Sequence, residues 1–311
     1  MHCRLSLTLA AVTVLLIAPM AVPDLASVAP PGQDFIGGPW YSTWSEPALV
    51  TGVNSAKAEF PNSISRDGLS LYFQRADAAG DENLYVAHRA DLESPWAVPV
   101  KLPDGVNSGA NDRGAFVSAD GHWLYFSSNR TGGLGENDLY RSWRGDVHDD
   151  AAWEQPANIL ELNTPGFDSG PALTEDESGR RQLYFVSNPS GPQAFADVYV
   201  STLNDDGTFG PAVAVTELNS GFSEGCPRLR KDGREIFFQS NRDGKGMDIF
   251  VSRRASRDDP WSPPESVSEL NTPLNDTTPI LAWNALEMFI GAFRPDAGGI
   301  WVTYRERRRG R

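Results

Sequence analysis

The stretch that decides the fold reads Asn107-Ser108-Gly109-Ala110-Asn111-Asp112-Arg113-Gly114-Ala115-Phe116-Val117-Ser118-Ala119-Asp120-Gly121-His122-Trp123-Leu124-Tyr125-Phe126-Ser127-Ser128-Asn129-Arg130. Residues 114–117 are short, mostly apolar and suited to a strand. Ser118-Ala119-Asp120-Gly121 is a tight turn, because Asp and Gly both tolerate the positive φ that a two-residue hairpin needs. Residues 123–128 are a second strand, aromatic and bounded by turns. Working outward, a Gly-rich turn over 129–137 leads to a third strand at 138–143. On the other side, Trp96-Ala97-Val98-Pro99-Val100 is a short extended piece, and its Pro suits a sheet edge.

The same wording recurs along the chain. An Asn followed five residues later by a carboxylate occurs at Asn54–Glu59, Asn107–Asp112, Asn163–Asp168, Asn219–Glu224 and Asn271–Asp276, with the Asn residues 53, 56, 56 and 52 apart. A Trp-x-x-Pro opening stands at Trp44, Trp96, Trp153 and Trp261, with Phe209 and a shifted Pro211 in the fourth copy. The second strand recurs as Leu71-Tyr72-Phe73, Leu124-Tyr125-Phe126, Leu183-Tyr184-Phe185, Ile236-Phe237-Phe238 and Met288-Phe289-Ile290. A period of this length points to a solenoid or propeller, and no amphipathic helical stretch lies between 44 and 306. The expectation is an all-β, five-bladed β-propeller with four antiparallel strands per blade. The last copy has three strands after its acid, and residues 44–50 precede the first full blade. Those residues should therefore complete blade five and close the ring. A closed ring protects its sheet edges without capping repeats.

The wording Trp-x-x-Pro, Asn-Ser, Ser-x-Asp-Gly, Leu-Tyr-Phe-Ser-Ser-Asn-Arg and Asp-Leu-Tyr resembles the WD-type repeat of TolB-like β-propellers, which are bacterial and extracytoplasmic. The resemblance covers residues 44–306 and implies protein contacts at the cell envelope. TolB-like proteins carry a further N-terminal domain and usually six blades; here there are five copies and no such domain.

The 311 residues carry a net charge of −14. Five Arg fall within the last seven residues, so the remaining body is more acidic still. Such a body repels phosphate backbones, which argues against nucleic acid as a partner. Residues 1–30 read as a secretory signal peptide, with an apolar run centred on Leu15-Leu16-Ile17. No small-x-small pattern marks a cleavage point, which leaves an uncleaved anchor as the alternative. Residues 31–43 then form a linker, 44–306 the propeller and 307–311 a basic tail. No later segment is apolar and long enough to span a membrane. The expected location is periplasmic or secreted, as a monomer.

In each copy the acid begins the inner strand and the Arg of the Ser-x-Arg wording ends the next. Both ends of a hairpin lie on one face of the disc. Counting back from Asp120-Gly121 places Asp112 opposite Asn129, beside Arg130. The same count brings Glu224 to Arg242 and Asp276 to Arg294. In the first copy, Arg75 takes the role for Glu59. The third copy has Pro189 instead, so Asp168 lacks an arginine of its own blade. That copy also has a longer turn over 189–196 with Phe195 at its tip. The candidate ligand site is therefore Asp168 with Phe195, followed by Glu59, Asp112, Glu224 and Asp276 around the pore. Arg75, Arg130, Arg242 and Arg294 serve as structural partners.

His88, His122 and His148 form no zinc spacing, and no cofactor motif or nucleophile elbow is present. Cys226 reads as a small buried hydrophobe. Residues 241–248 lack the acids of a calcium loop and read as a turn. The main expectation is a non-catalytic scaffold that recognises an envelope protein, peptide or glycan. A carbohydrate-active, glycosidase-like enzyme using pore-face carboxylates is the alternative, since glycosidases on five-bladed rings use carboxylate pairs. A cation-stabilised structural propeller is the third.

Overall fold

The computed structural model describes residues 41–308, apart from 177, 190, 192–194 and 296. The leader and the end of the basic tail lie outside these residues. The described chain is all strand, turn and loop, without a helix. It forms five four-stranded antiparallel sheets arranged as a five-bladed β-propeller. Blade one holds β2 (Glu59–Ile64), β3 (Ser70–Ala76), β4 (Glu82–His88) and β5 (Val100–Lys101). Blade two holds β6 (Asp112–Val117), β7 (Trp123–Ser128), β8 (Asp138–Trp143) and β9 (Ala157–Asn158). Blade three is built from β10 (Phe167–Glu175), β11 (Arg181–Asn188), β12 (Asp197–Leu203) and β13 (Val213–Ala214). Blade four comprises β14 (Glu224–Leu229), β15 (Glu235–Ser240), β16 (Asp248–Arg253) and β17 (Glu265–Ser266). In blade five, β18 (Asp276–Leu281), β19 (Glu287–Arg294) and β20 (Ala297–Tyr304) are completed by β1 (Ala48–Leu49).

The ring closes where the chain's two ends meet. Ala48 faces Val302 and Leu49 faces Trp301 in the β1–β20 ladder. Ser42 and Ser45 donate their amides to the carbonyls of Glu306 and Tyr304. Tyr41 pairs with Arg307 as an isolated bridge. The ordered ring therefore begins before residue 44 and ends after 306. The outermost strands are only two residues long, because their ladders begin after the Pro of the opening, which has no N–H to give.

The core is not one mass but five clusters, one at each blade interface. The cluster between blades one and two joins Tyr72 and Leu84 to Leu124 and Phe126. That between blades four and five joins Phe237 and Ile249 to Met288 and Ile290. The alternating apolar positions of the middle strands thus face both neighbours. This explains why the Leu-Tyr-Phe wording is apolar on both sides, where a one-sided sheet would alternate with polar residues.

The repeated Asn has a specific task. Asn107 accepts a hydrogen bond from the Leu84 amide (2.7 Å) and donates to the Leu84 and Leu102 carbonyls (3.0 and 2.8 Å). Asn54 does the same with Ile300, Asn163 with Leu139, Asn219 with Val198 and Asn271 with Ile249. Each side chain satisfies both the N–H and the C=O of one residue in the preceding blade's third strand. Only a side-chain amide offers a donor and an acceptor together in this compact form. Leaving those backbone groups unpaired in a buried setting costs about 1–3 kcal/mol each.

The inner strands share a feature the sequence did not disclose. Every hairpin between first and second strands has a β-bulge, at Asn62 in blade one and at residues 114–115, 170–171, 226–227 and 278–279 in the others. Gly114 and Gly170 have φ of 65° and 63° at this point, a region open to glycine at no steric penalty. Cys226 and Thr278 adopt the same hand at 48° and 45°. The bulge also corrects the register. Asp112 faces Ser128, not Asn129, because the extra residue shifts the pairing by one.

Candidate functional site

All five repeat acids open the inner strands on one face of the ring, and all are buried. Each accepts from the amide and hydroxyl of the residue after the repeat Asn, as Ser108 does for Asp112 and Thr164 for Asp168. Four then meet an arginine. Arg75 lies 2.8 Å from Glu59, Arg130 2.7 Å from Asp112, Arg242 3.0 Å from Glu224 and Arg294 3.4 Å from Asp276. Each guanidinium also covers an aromatic face, Arg130 those of Phe126 and Tyr140 and Arg242 those of Phe238 and Phe250. Cation–π attraction adds to the ion pair there. Glu59, Asp112 and Glu224 are thereby neutralised and enclosed as fixtures of the blade; Asp276 is enclosed too, but its arginine is the most distant of the four, and burial raises its pKa against the pull of Thr272 and Arg294.

Blade three differs. Its stacked Phe185 and Tyr199 have no arginine over them. Among the described residues no cation reaches Asp168. Its Oδ2 takes both bonds from Thr164, while Oδ1 has no well-formed hydrogen bond. Burial raises its pKa, against the opposing pull of Ser187 and Thr164. Asp168 faces Ser187 across the first pair of strands, and Ser187 faces Asp197 across the second. Directly opposed residues share a face, so Asp168, Ser187 and Asp197 form one row. Blades two and four have the same acid–Ser–Asp row, as Asp112–Ser128–Asp138 and Glu224–Ser240–Asp248. There the arginine donates to both the acid and the Ser. In blade three the row stands without it. The Asp197 pKa is raised by burial and by the nearby Glu224. Asp197 is only half-buried, and two residues before it Phe195 projects into solvent with 68% of its surface exposed. Much of the 189–196 turn lies outside the described residues.

A second arginine ring stands on the opposite face. Arg89, Arg144, Arg254 and Arg305 each donate to the hairpin-turn carbonyl of Gly68, Gly121, Gly233 or Ala285. Each also lies 4.1–4.5 Å from the ring centre of Trp96, Trp153, Trp261 or Trp44. This clamp is what the Trp-x-x-Pro opening serves. Blade three again departs, with Leu203 and Phe209 pairing apolar to apolar. The exchange of both partners together explains the missing Trp.

Ser70, His88 and Asp150 form a hydrogen-bonded chain of 2.9 and 2.6 Å, which sequence spacing had not linked. It does not make a nucleophile. Ser70 meets Nδ1 and Asp150 meets Nε2, the reverse of the arrangement that activates a serine. The bond to Asp150 raises the His88 pKa, favouring the cation over the base. Cys226 lies at the blade-four bulge and is half-buried, not enclosed as its sequence suggested, and the packing around it still pushes its thiol pKa up. Among the described residues no group of three or more His, Cys, Asp or Glu is placed to hold a metal ion.

No family model matches this chain, and no curated protein matches it in sequence. Solved structures do. A GH43_1 enzyme from Xanthomonas citri is similar at 13% identity and a TM-score of 0.58, over 84% of this chain and 90% of that one. The catalytic domain of the Coprinopsis cinerea GH62 α-L-arabinofuranosidase is similar at 12% identity and a TM-score of 0.56, over 85% and 96%. A TolB from Agrobacterium tumefaciens is similar at 17% identity but a TM-score of only 0.45, over 78% and 73%. At these identities the likeness is one of fold. It nevertheless corrects the expectation of a non-catalytic scaffold, which rested on the lack of a local catalytic motif and on the TolB-like wording. The two rings named here with TM-scores above 0.5 belong to a GH43_1 enzyme and a GH62 arabinofuranosidase. Hydrolysis by two carboxylates needs residues brought together by the fold, which leave no motif in the sequence.

Proposed function

We propose that this chain is a carbohydrate-active enzyme of the glycosidase type, working at blade three of the acid face. The observation that carries the reading is the row Asp168–Ser187–Asp197, two carboxyl groups left without the arginine that the matching rows possess. Two strand spacings separate the carboxylates by about 10 Å at the backbone. That is nearer the wide separation of inverting glycosidases than the ~5 Å of retaining ones. Asp168, whose pKa burial raises, is the proton donor to the leaving oxygen. Asp197 is the base for water. The exposed ring of Phe195 offers a flat surface for a sugar. Asp168 is fully buried, so the reading requires its surroundings to open when sugar binds. Support also comes from the fold shared with GH43 and GH62 enzymes, one of them described as an α-L-arabinofuranosidase.

The test is release of sugar from aryl glycosides and polysaccharides, with α-L-arabinofuranosides first in the panel. Asp197→Asn and Asp168→Asn should each lower kcat/KM by about 100-fold or more, the usual weight of a general acid or base. Wild-type rates retained by both folded variants, or no hydrolysis anywhere in the panel, would overturn the assignment.

A further inference from the structure

The inner strands end on the face opposite the acids, and there they enclose a pocket about the ring axis with a cavity of about 50 Å³. At roughly 10–15 Å³ per water-sized group, that admits an end group of a few heavy atoms. Arg228 of blade four stands at its base, only 4% exposed. Its guanidinium crosses the axis: Nε and Nη2 donate to the Asn62 carbonyl of blade one (3.2 and 2.8 Å), and Nη1 donates to Pro227 O (2.9 Å) and, at a longer 3.4 Å, to Gly170 O of blade three. The Phe116 ring of blade two lies 5.8 Å from it. Among the described residues no carboxylate pairs with Arg228. Of the five N–H groups of an arginine, one on Nη2 has no partner there.

A buried cation served only by carbonyls is an unbalanced charge. In a protein of net charge −14, Arg89, Arg144, Arg230 and Arg305 are buried and paired to acids, whereas Arg228 and Arg254 have no carboxylate partner among the described residues, and of these two only Arg228 lines the pocket. The pocket walls point the same way. Lys231 on the rim has no ion pair among the described residues, and Trp283 and Phe116 supply aromatic wall. Arg230, also at the wall, is already neutralised by Asp232 and Glu235. Glu175 is the one carboxylate of the lining. We propose that this pocket binds the carboxylate end of a small organic acid, with Arg228 as the buried charge partner and Lys231 as the rim contact. The aromatic walls then pack against the carbon skeleton beyond the carboxylate. This site lies at the end of the inner strands away from the Asp168 row and does not depend on the hydrolytic reading.

Titration calorimetry on the full chain distinguishes the sources of a carboxylate, using glucuronate, benzoate and acetate, with glucose and inorganic phosphate as controls. Saturable binding of glucuronate or benzoate, at least tenfold tighter than glucose, is expected. Lys231→Glu should weaken it about tenfold and Glu175→Gln should tighten it. Both residues are exposed, so neither change threatens the fold. Arg228→Gln should abolish binding if circular dichroism shows the variant folded. Carboxylates binding no better than glucose, phosphate binding while every carboxylate fails, or Lys231→Glu and Glu175→Gln both matching wild type would overturn the proposal.

Discussion

Removing residues 41–50 should abolish the cooperative unfolding transition. These residues supply the outer strand of blade five and the Trp44 side of an arginine clamp. Trp44 is buried against Phe237 with ring centres 6.0 Å apart. Arg305 lies 3.9 Å from the Tyr41 ring centre and 4.5 Å from that of Trp44. The same Arg305 holds Glu235 of blade four at 2.7 Å. Loss of a buried Trp side chain alone costs about 3–5 kcal/mol. Each lost ladder bond adds about 1 kcal/mol. A whole domain is stable by only about 5–15 kcal/mol. The truncation also bares the β20 edge, an invitation to pair with other chains. A chain starting at residue 41 should melt like the full-length protein, whereas one starting at 51 should be aggregated or lack a sharp transition. An unchanged thermal midpoint for the shorter chain would contradict the closure.

Replacing the repeat acids by Asn should give opposite results in blades two and three. Asp112→Asn leaves Arg130 without its anion in an enclosed site. Breaking one side of a buried pair costs about 3–5 kcal/mol. Asp168 has no cation to abandon. An Asn there keeps an acceptor for Thr164 and turns donors toward Ser187, so stability at neutral pH should hold or rise. The pH dependence follows from the direction of its shift. The folded-state pKa of Asp168 lies above the usual 3.8, so the folded form binds the proton more readily than the unfolded one. The stability this contributes is full below the unfolded pKa and is lost as pH rises through the folded pKa. The variant's advantage over wild type should thus be greatest at neutral pH and vanish below about 3.8. Urea midpoints at pH 7 and in acid check both statements. An unneutralised carboxylate retained at a stability penalty is the pattern expected where activity is served.

The blade count, the closing strand and the strand order were legible because each rests on short-range pattern: turn residues, aromatic runs and a fixed spacing. Hairpin arithmetic also leads from Asp112 to Arg130, though one step out of register, since a bulge at Gly114 leaves no clear mark in the local sequence. The role of the repeat Asn stayed hidden because Asn107 acts on Leu84, in the preceding blade. Likewise Arg144 and Trp153 are conspicuous residues, but only the folded sheet shows one lying on the other. Asp168 was conspicuous for the Pro189 that follows its hairpin. Asp197 begins a third strand just as Asp138 and Asp248 do, and its significance appears only when strands β10, β11 and β12 align it with Asp168. Arg228 gave no signal at all, since nothing local shows that its side chain crosses the ring axis.

Blade three, stripped of both arginines, is the centre of the account, and the state of its carboxyl groups can be read directly. Carbon-13 carboxyl chemical shifts of Asp168 and Asp197 should be followed from pH 2 to 8 by NMR. Both groups are expected to titrate above the usual aspartate value of 3.8, and Asp197→Asn should shift the Asp168 midpoint. A midpoint for Asp168 at or below that value, unmoved by the change at Asp197, would contradict the pairing on which the proposed chemistry rests.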